Sequence, residues 1–343
     1  MRPASAFFVL FAALAARAAD PAPIPVKMVV VTTFEEGADT GDKPGEFQYW
    51  VERERLDQTI TVPGMDHVVR TNGRGLLGVV SGTTSRAGLQ IMALVLDPRF
   101  DFSHAYWMLA GIAGVDPADA SIGSAAWARY VVDGDIACEI DSREVPADWP
   151  YGVLVIGSNR PNVKPPPQGW EPDTMCFELN RALVARAYAL TKDVVLLDTP
   201  EMKAYRATYK GFPNAQRPPF VLLGEVMGSN RYWHGATLTK WANDWVALLT
   251  GGQGNFVMTA MEDQGVATAL SRLAKMGRVD FQRVLFLRTA SNYCMPAPGQ
   301  NVVQSLTAEY AGGLPAFEAE WRVGSVVVHD ILDHWDTYAA KAP

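Results

Sequence analysis

The sequence predicts a single α/β domain, and three observations predict it. Short β-branched or apolar runs alternate with segments of helical spacing along the chain. No internal repeat or long linker interrupts them. Polar residues gather just after several apolar runs, where open α/β sheets hold their ligands, beyond the carboxyl ends of the strands. Roughly 320 residues after a leader would allow two domains, but α/β folds of this size often run as one. The domain is assigned to residues 24–341.

The first buried strand is expected over residues 25–32 (PVKMVVVT), and an acidic loop follows at residues 34–42. A second strand is expected over 75–80 and a helix over 85–96. A strand over 106–110 leads into a small-residue loop at 111–115. Residues 125–133 and 135–139 read as a hairpin about Gly134. A strand over 152–156 precedes a proline-rich loop at 159–172, extended by three consecutive prolines. A helix is expected over 175–192, with Asp173 or Thr174 as its cap. Then come a strand over 220–227 and a helix over 235–249, which places Trp241 and Trp245 on one face. Strands over 256–260 and 283–287 follow, then terminal helical segments over 314–322 and 326–340.

The N-terminus has the form of a secretory signal: a positive Arg2, an apolar core over 6–16, and an Ala16-Arg17-Ala18 cleavage pattern. The apolar run is shorter than the roughly 18 residues a membrane span needs. Residues 1–18 are therefore expected to be removed and the mature chain to be periplasmic or secreted. A net charge of −7 without a basic block argues against a nucleic-acid or anionic-membrane partner. Cys138, Cys176 and Cys294 form no C-x-x-C; in an oxidising compartment one pair could bridge, with three pairings open.

Two stretches carry the chemistry. Met261-Glu262-Asp263 follows an apolar run and precedes a small-residue helix; Arg288-Thr289-Ala290-Ser291-Asn292 ends another strand. A carboxylate can accept both hydroxyls of a sugar diol. An Asn amide donates and accepts at once, which suits a purine edge. Together they read as a nucleoside site. Bland readings stand beside this one. Glu262 could cap the following helix, Asn292 could be a turn residue before Pro296 and Pro298, and Tyr232 and Trp233 could be core aromatics. His234 reads as a structural histidine sooner than a proton shuttle. His329, Asp333 and His334 read as a solvated helix face sooner than a metal site, and no cofactor or metal is expected. Gly111 and Gly114 read as points of close backbone approach to a ligand.

The strings at residues 109–115 (LAGIAGV), 123–130 (GSAAWARY), 232–235 (YWHG), 259–263 (TAMED) and 288–292 (RTASN) resemble those of the purine nucleoside permease family. That family is similar in turn to the nucleoside phosphorylase and nucleosidase superfamily. The resemblance implies a three-layer fold with a central mixed, partly barrel-like sheet flanked by helices, and a purine nucleoside as ligand. It implies that Glu262 holds the ribose hydroxyls, Met261 packs under the sugar, Asn292 bonds the N7 side of the purine and Tyr232 stacks on it. Trp233 falls where backbone groups meet the base edge, with Ser291 beside Asn292 in the substrate set. Glu36, or less favourably Glu35, falls near the carboxylate that activates water in the nucleosidase branch.

The chain departs from the phosphate-binding members at Leu109 and Ile112, where those have Arg and Ser. Neither side chain can neutralise a dianion; Thr83, Thr84, Ser85 and Arg86 could supply some donors. The expected function is hydrolysis of the N-glycosidic bond, with Glu36 as base and Asn292 at the leaving purine. Two alternatives stand: a non-catalytic binding protein for nucleoside uptake, which could have a membrane transporter partner, and a phosphorylase. A homo-oligomer is also left open.

Overall fold

In the computed structural model, residues 22–164, 174–308 and 313–343 are described. The leader at 1–18, the prolines at 165–167 and Asp173 lie outside them. Twelve strands form one mixed sheet: β1 (Met28–Thr32), β2 (Gln58–Ile60), β3 (Val69–Thr71), β4 (Leu76–Val80), β5 (Tyr106–Val115), β6 (Ala125–Trp127), β7 (Tyr130–Asp133), β8 (Cys176–Glu178), β9 (Val221–Leu223), β10 (Glu225–Gly228), β11 (Phe256–Ala260) and β12 (Val284–Tyr293). The order along the sheet is β8-β7-β10-β11-β5-β1-β4-β3-β2, while β12 joins β5 to β6 and β6 pairs with β9. The helices are α1 (Gln48–Arg53), α2 (Ala87–Leu96), α3 (Arg181–Thr191), α4 (Pro200–Arg206), α5 (Ala236–Leu249), α6 (Asp263–Lys275), α7 (Val302–Leu306), α8 (Leu314–Asp333) and α9 (Trp335–Ala340).

The long strand β5 explains the partly barrel-like curl. Its first half pairs in parallel with β1, its whole length pairs in parallel with β12, and Val115 meets Met258 of β11 antiparallel. A strand with three neighbours cannot lie in a flat sheet, so the sheet folds over along it. β1 and β4 are buried at every position, as their unbroken apolar runs require. Burial of each such valine or leucine contributes about 1.5–3 kcal/mol.

Several expectations are corrected. The small residues 111–115 continue β5 instead of forming a loop, because β12 supplies a full parallel partner along them. Residues 125–139 do not form a hairpin about Gly134. β6 and β7 pair with different strands, and Ala137–Glu139 pairs with Val153–Val155. The helix expected over 175–192 begins with strand β8; Asn180 caps α3 through bonds from Ala182 N and Leu183 N, so Thr174 does not. The two terminal segments are one 20-residue helix, α8, followed by α9. Among the described residues no helix is long and apolar enough to cross a membrane. Cys138, Cys176 and Cys294 are free thiols.

Candidate functional site

The carboxyl ends of β1, β4, β11 and β12 and the second half of β5 converge on one cleft with two adjoining chambers. The inner chamber, about 200 Å³, is walled by Thr33, Glu46, Thr83, Thr259, Met261 and Glu262. The outer one, about 270 Å³, is walled by Glu36, Lys43, Leu306 and Phe317. Phe34, Ile112, Tyr232, Ser291 and Asn292 line both. Six of the eight sequence-derived site residues thus meet at one cleft: Glu36, Tyr232, Met261, Glu262, Ser291 and Asn292.

Ser291 and Asn292 owe their placement to a bulge. The β12 register passes from Ala290 opposite Ala113 to Asn292 opposite Gly114, which leaves Ser291 as the extra residue. The Ser291 hydroxyl lies 2.9 Å from Asn292 Oδ1 and 3.1 Å from the Ala113 carbonyl. Asn292 Nδ2 donates to the Tyr232 hydroxyl and to the Tyr293 carbonyl, each at 3.1 Å.

Glu262 stands at the N-cap of α6 but makes no capping bond. It is 5% exposed. Its Oε2 accepts from Arg288 Nη2 at 2.9 Å and from Met261 N at 3.2 Å. Arg288 is fully buried and also donates to Asp263 and, at 3.0 Å, to the Ile112 carbonyl. This cation, read in the sequence only as part of a string, fixes the carboxylates at the head of α6. Burial raises the proton affinities of Glu262 and Asp263, and Arg288 opposes it.

The residue that sequence reasoning missed is Glu46. It is 2% exposed and borders the inner chamber. Its Oε2 accepts from Thr33 N and Thr33 Oγ1, both at 2.7 Å, and its Oε1 accepts from Ile112 N at 2.7 Å. Burial pushes its pKa up to about 7; Arg288 pulls it down, Glu262 pushes it up, and the backbone donors pull it down. Glu35 builds this arrangement. Its carboxylate accepts from the backbone N–H of Glu36, Gly45, Phe47 and Gln48, so it clamps the chain on both sides of Glu46 and has no lone-pair direction left for water. A Cβ on Gly45 would lie 2.9 Å from Glu35, which is why the clamp needs glycine there.

Glu36 sits at the rim, 45% exposed and bonded to Lys43 at 2.7 Å. At Gly111 a Cβ would meet Arg288 Nη1 at 2.5 Å and Glu46 Oε1 at 2.8 Å, so the close approach seen there is to the buried charges. Gly114 does line the inner chamber. The Trp233 indole packs against Trp241 and Phe256, outside the two chambers. His234 bonds Ser305 at 3.0 Å beside a separate cavity. His329 pairs with Glu54 and His334 with Asp330.

The family model described as purine nucleoside permease matches residues 25–343. A probable purine nucleoside permease of Schizosaccharomyces pombe is 30% identical over 258 residues, covering 73% of this chain and 74% of the relative. A purine nucleoside permease of Candida albicans is 29% identical over 297 residues, covering 84% and 72%. Among solved structures, the 5′-methylthioadenosine/S-adenosylhomocysteine nucleosidase of Neisseria meningitidis superposes with a TM-score of 0.52 at 12% identity, over 89% of this chain and 99% of that one. Futalosine hydrolase of Helicobacter pylori does so at 0.52 and 12%, over 89% and 98%. At these identities the likeness is one of fold.

Proposed function

Because the chain belongs to the purine nucleoside permease family, we propose that it binds purine nucleosides in the two-chambered cleft and hydrolyses their N-glycosidic bond, with Glu46 as the base. Glu46 carries the reading. It is a buried carboxylate, poised to ionise near neutrality, in the chamber that also holds Glu262 and Met261. A general base with a proton affinity near the working pH is the most effective kind.

The ribose sits in the inner chamber, its 2′ and 3′ hydroxyls donating to Glu262. Water lies between Glu46 and C1′. As its oxygen bonds to C1′ it gives a proton to Glu46, and the C1′–N9 bond breaks with its electrons going to the purine. The Tyr232 hydroxyl, half in solvent and held by Asn292, donates to the leaving purine, which takes its proton from solvent. The base moves from Glu36 to Glu46 because Glu36 is ion-paired at the rim, while Glu46 lies beside the sugar carboxylate.

Water is favoured over phosphate on charge. No described residue lining the inner chamber is Lys, Arg or His, and Glu46 would repel a dianion. Purified protein is given inosine, adenosine and guanosine with and without phosphate, and the products are separated. Free base with ribose in both conditions is expected, at a rate rising with pH through about 7. Ribose 1-phosphate would overturn the hydrolytic reading. Tight binding with no free base would leave a binding protein for uptake. We propose as well that residues 1–18 are a secretory signal cleaved on export, so that the mature chain lacks them; a periplasmic protein whose mass still begins at Met1 would refute the cleavage.

A further inference from the structure

Five ionisable groups are buried together in the wall of the inner chamber and behind it. Glu46, Glu262, Asp263 and Glu320 are each 5% exposed or less, and Arg288 is the one cation bonded among them. Four anions against one guanidinium would leave a large uncompensated charge in the interior, a state that buried carboxyls avoid by holding protons. The hydrogen bonds show where the charge is best kept. Asp263 is gripped by Arg288 through two nitrogens. Glu262 receives Arg288 and a backbone N–H. Glu46 receives three donors. Among the described residues, Glu320 on α8 receives only the Trp50 indole N–H, at 2.8 Å on Oε1, and its Oε2 has no partner. An anion would be worst solvated there.

We propose that Glu320 is a neutral carboxylic acid in the working protein, a positioning residue whose uncharged state leaves the titrating anion on Glu46. This rests on the reading of Glu46 as the ionising group of the site. Two links connect them. Trp50 belongs to α1, the helix that starts just after Glu46, so the Glu320–Trp50 bond ties α8 to the segment carrying the base. Burial and the charges of Glu46 and Glu35 also keep the proton on Glu320, with Trp50 and Arg288 opposing. The groups facing Glu320 are Glu35 and Glu46 from the loop before α1 and Arg288 from β12; Glu46 in turn faces Arg288 and, from the head of α6, Glu262. On the outer α1–α8 face, Arg53 bonds Glu318 and Glu54 bonds Trp321.

The primary test is infrared difference spectroscopy of wild type against Glu320→Gln at pH 8, without substrate. The expected result is a protonated-carboxyl C=O band, above the amide region, present in wild type and lost in the variant. An ionised-carboxylate difference instead would overturn the proposal. This readout does not need turnover, so it stands apart from the hydrolytic reading. Where the protein cleaves inosine, the pH–rate profile is the second readout. With Glu320 neutral, Glu320→Gln leaves the acid limb in place, because one neutral group replaces another. Were Glu320 an anion, its removal would move the limb down by about one pH unit or more. Glu320→Leu, which removes the Trp50 bond, is expected to lower kcat at least tenfold. Rescue by Gln but not by Leu separates positioning from charge, and equal losses in both would overturn it.

Discussion

Asn292 Nδ2 donates to the Tyr232 hydroxyl across 3.1 Å, and its second hydrogen goes to the Tyr293 carbonyl. Both donor positions of the amide are therefore taken. The Tyr232 hydroxyl accepts from Asn292 and keeps its own hydrogen, so in the proposed purine site it is the donor left for the base. Tyr232→Phe and Asn292→Ala should each weaken inosine binding about tenfold, the equivalent of one hydrogen bond. The double variant should lose little more, because the two act as one unit. Calorimetry giving fully additive losses would separate them.

Glu262 accepts from Arg288 and Met261 through Oε2 alone among these bonds, and Oε1 makes neither. In the proposed site, Oε1 is left to recognise the sugar hydroxyls. Glu262→Ala should weaken inosine binding by roughly 1.5–3 kcal/mol, the range for bonds to charged groups, and leave hypoxanthine nearly unaffected. Equal losses for nucleoside and free base would take Glu262 out of the sugar site.

Glu46, the proposed base, also bears on stability. Its folded-state pKa of about 7 lies above the ordinary 4.5. The fold therefore holds this proton more tightly than the unfolded chain does. The stability it contributes is complete below about pH 4.5 and is lost as pH rises through about 7. Glu46→Gln, which never ionises, should match wild type in thermal denaturation at pH 5 and exceed it at pH 8, by up to roughly 3 kcal/mol. The same variant should lose at least 100-fold in hydrolysis. A variant no more stable than wild type at pH 8 would mean that Glu46 is not held up by burial.

The sequence made much of this site legible because its polar residues directly follow apolar strands. Glu262 and Asn292 stand out at the ends of β11 and β12, and the alternation of strands and helices already implies the sheet. Glu46 was hidden for a physical reason. It lies within a polar, glycine-containing stretch that reads as solvated loop, and only the Glu35 clamp folds that stretch back under the sheet. Glu36 looked equivalent by composition, but a one-residue step from Glu35 turns it outward to Lys43. Residues 111–115 read as a loop because small side chains signal turns, whereas here they let β5 carry neighbours on three sides. The β8 strand was lost inside a helical pattern because its pairing with β7 is a tertiary fact.

Gly111 and Gly114, three residues apart on β5, should therefore fail in different ways. Neither has a left-handed backbone, so the effect of a methyl is steric. At Gly111 it would press on Arg288 Nη1 at 2.5 Å and Glu46 Oε1 at 2.8 Å, both held by several bonds and unable to retreat. At Gly114 it would meet Thr259 Oγ1 at 2.9 Å and Asn292 Nδ2 at 3.1 Å, and Asn292 holds the Tyr232 hydroxyl proposed to meet the purine. Overpacking of this kind typically costs about 1–3 kcal/mol. Gly111→Ala should displace Glu46 or Arg288, shifting the pH dependence of hydrolysis while free-base binding holds. Gly114→Ala should instead weaken binding of nucleoside and free base alike and leave the acid limb in place. If both variants weakened base binding equally with no change in pH profile, the buried charges would not be what Gly111 accommodates, and the division of the cleft into a proton-handling wall and a purine-reading wall would fail.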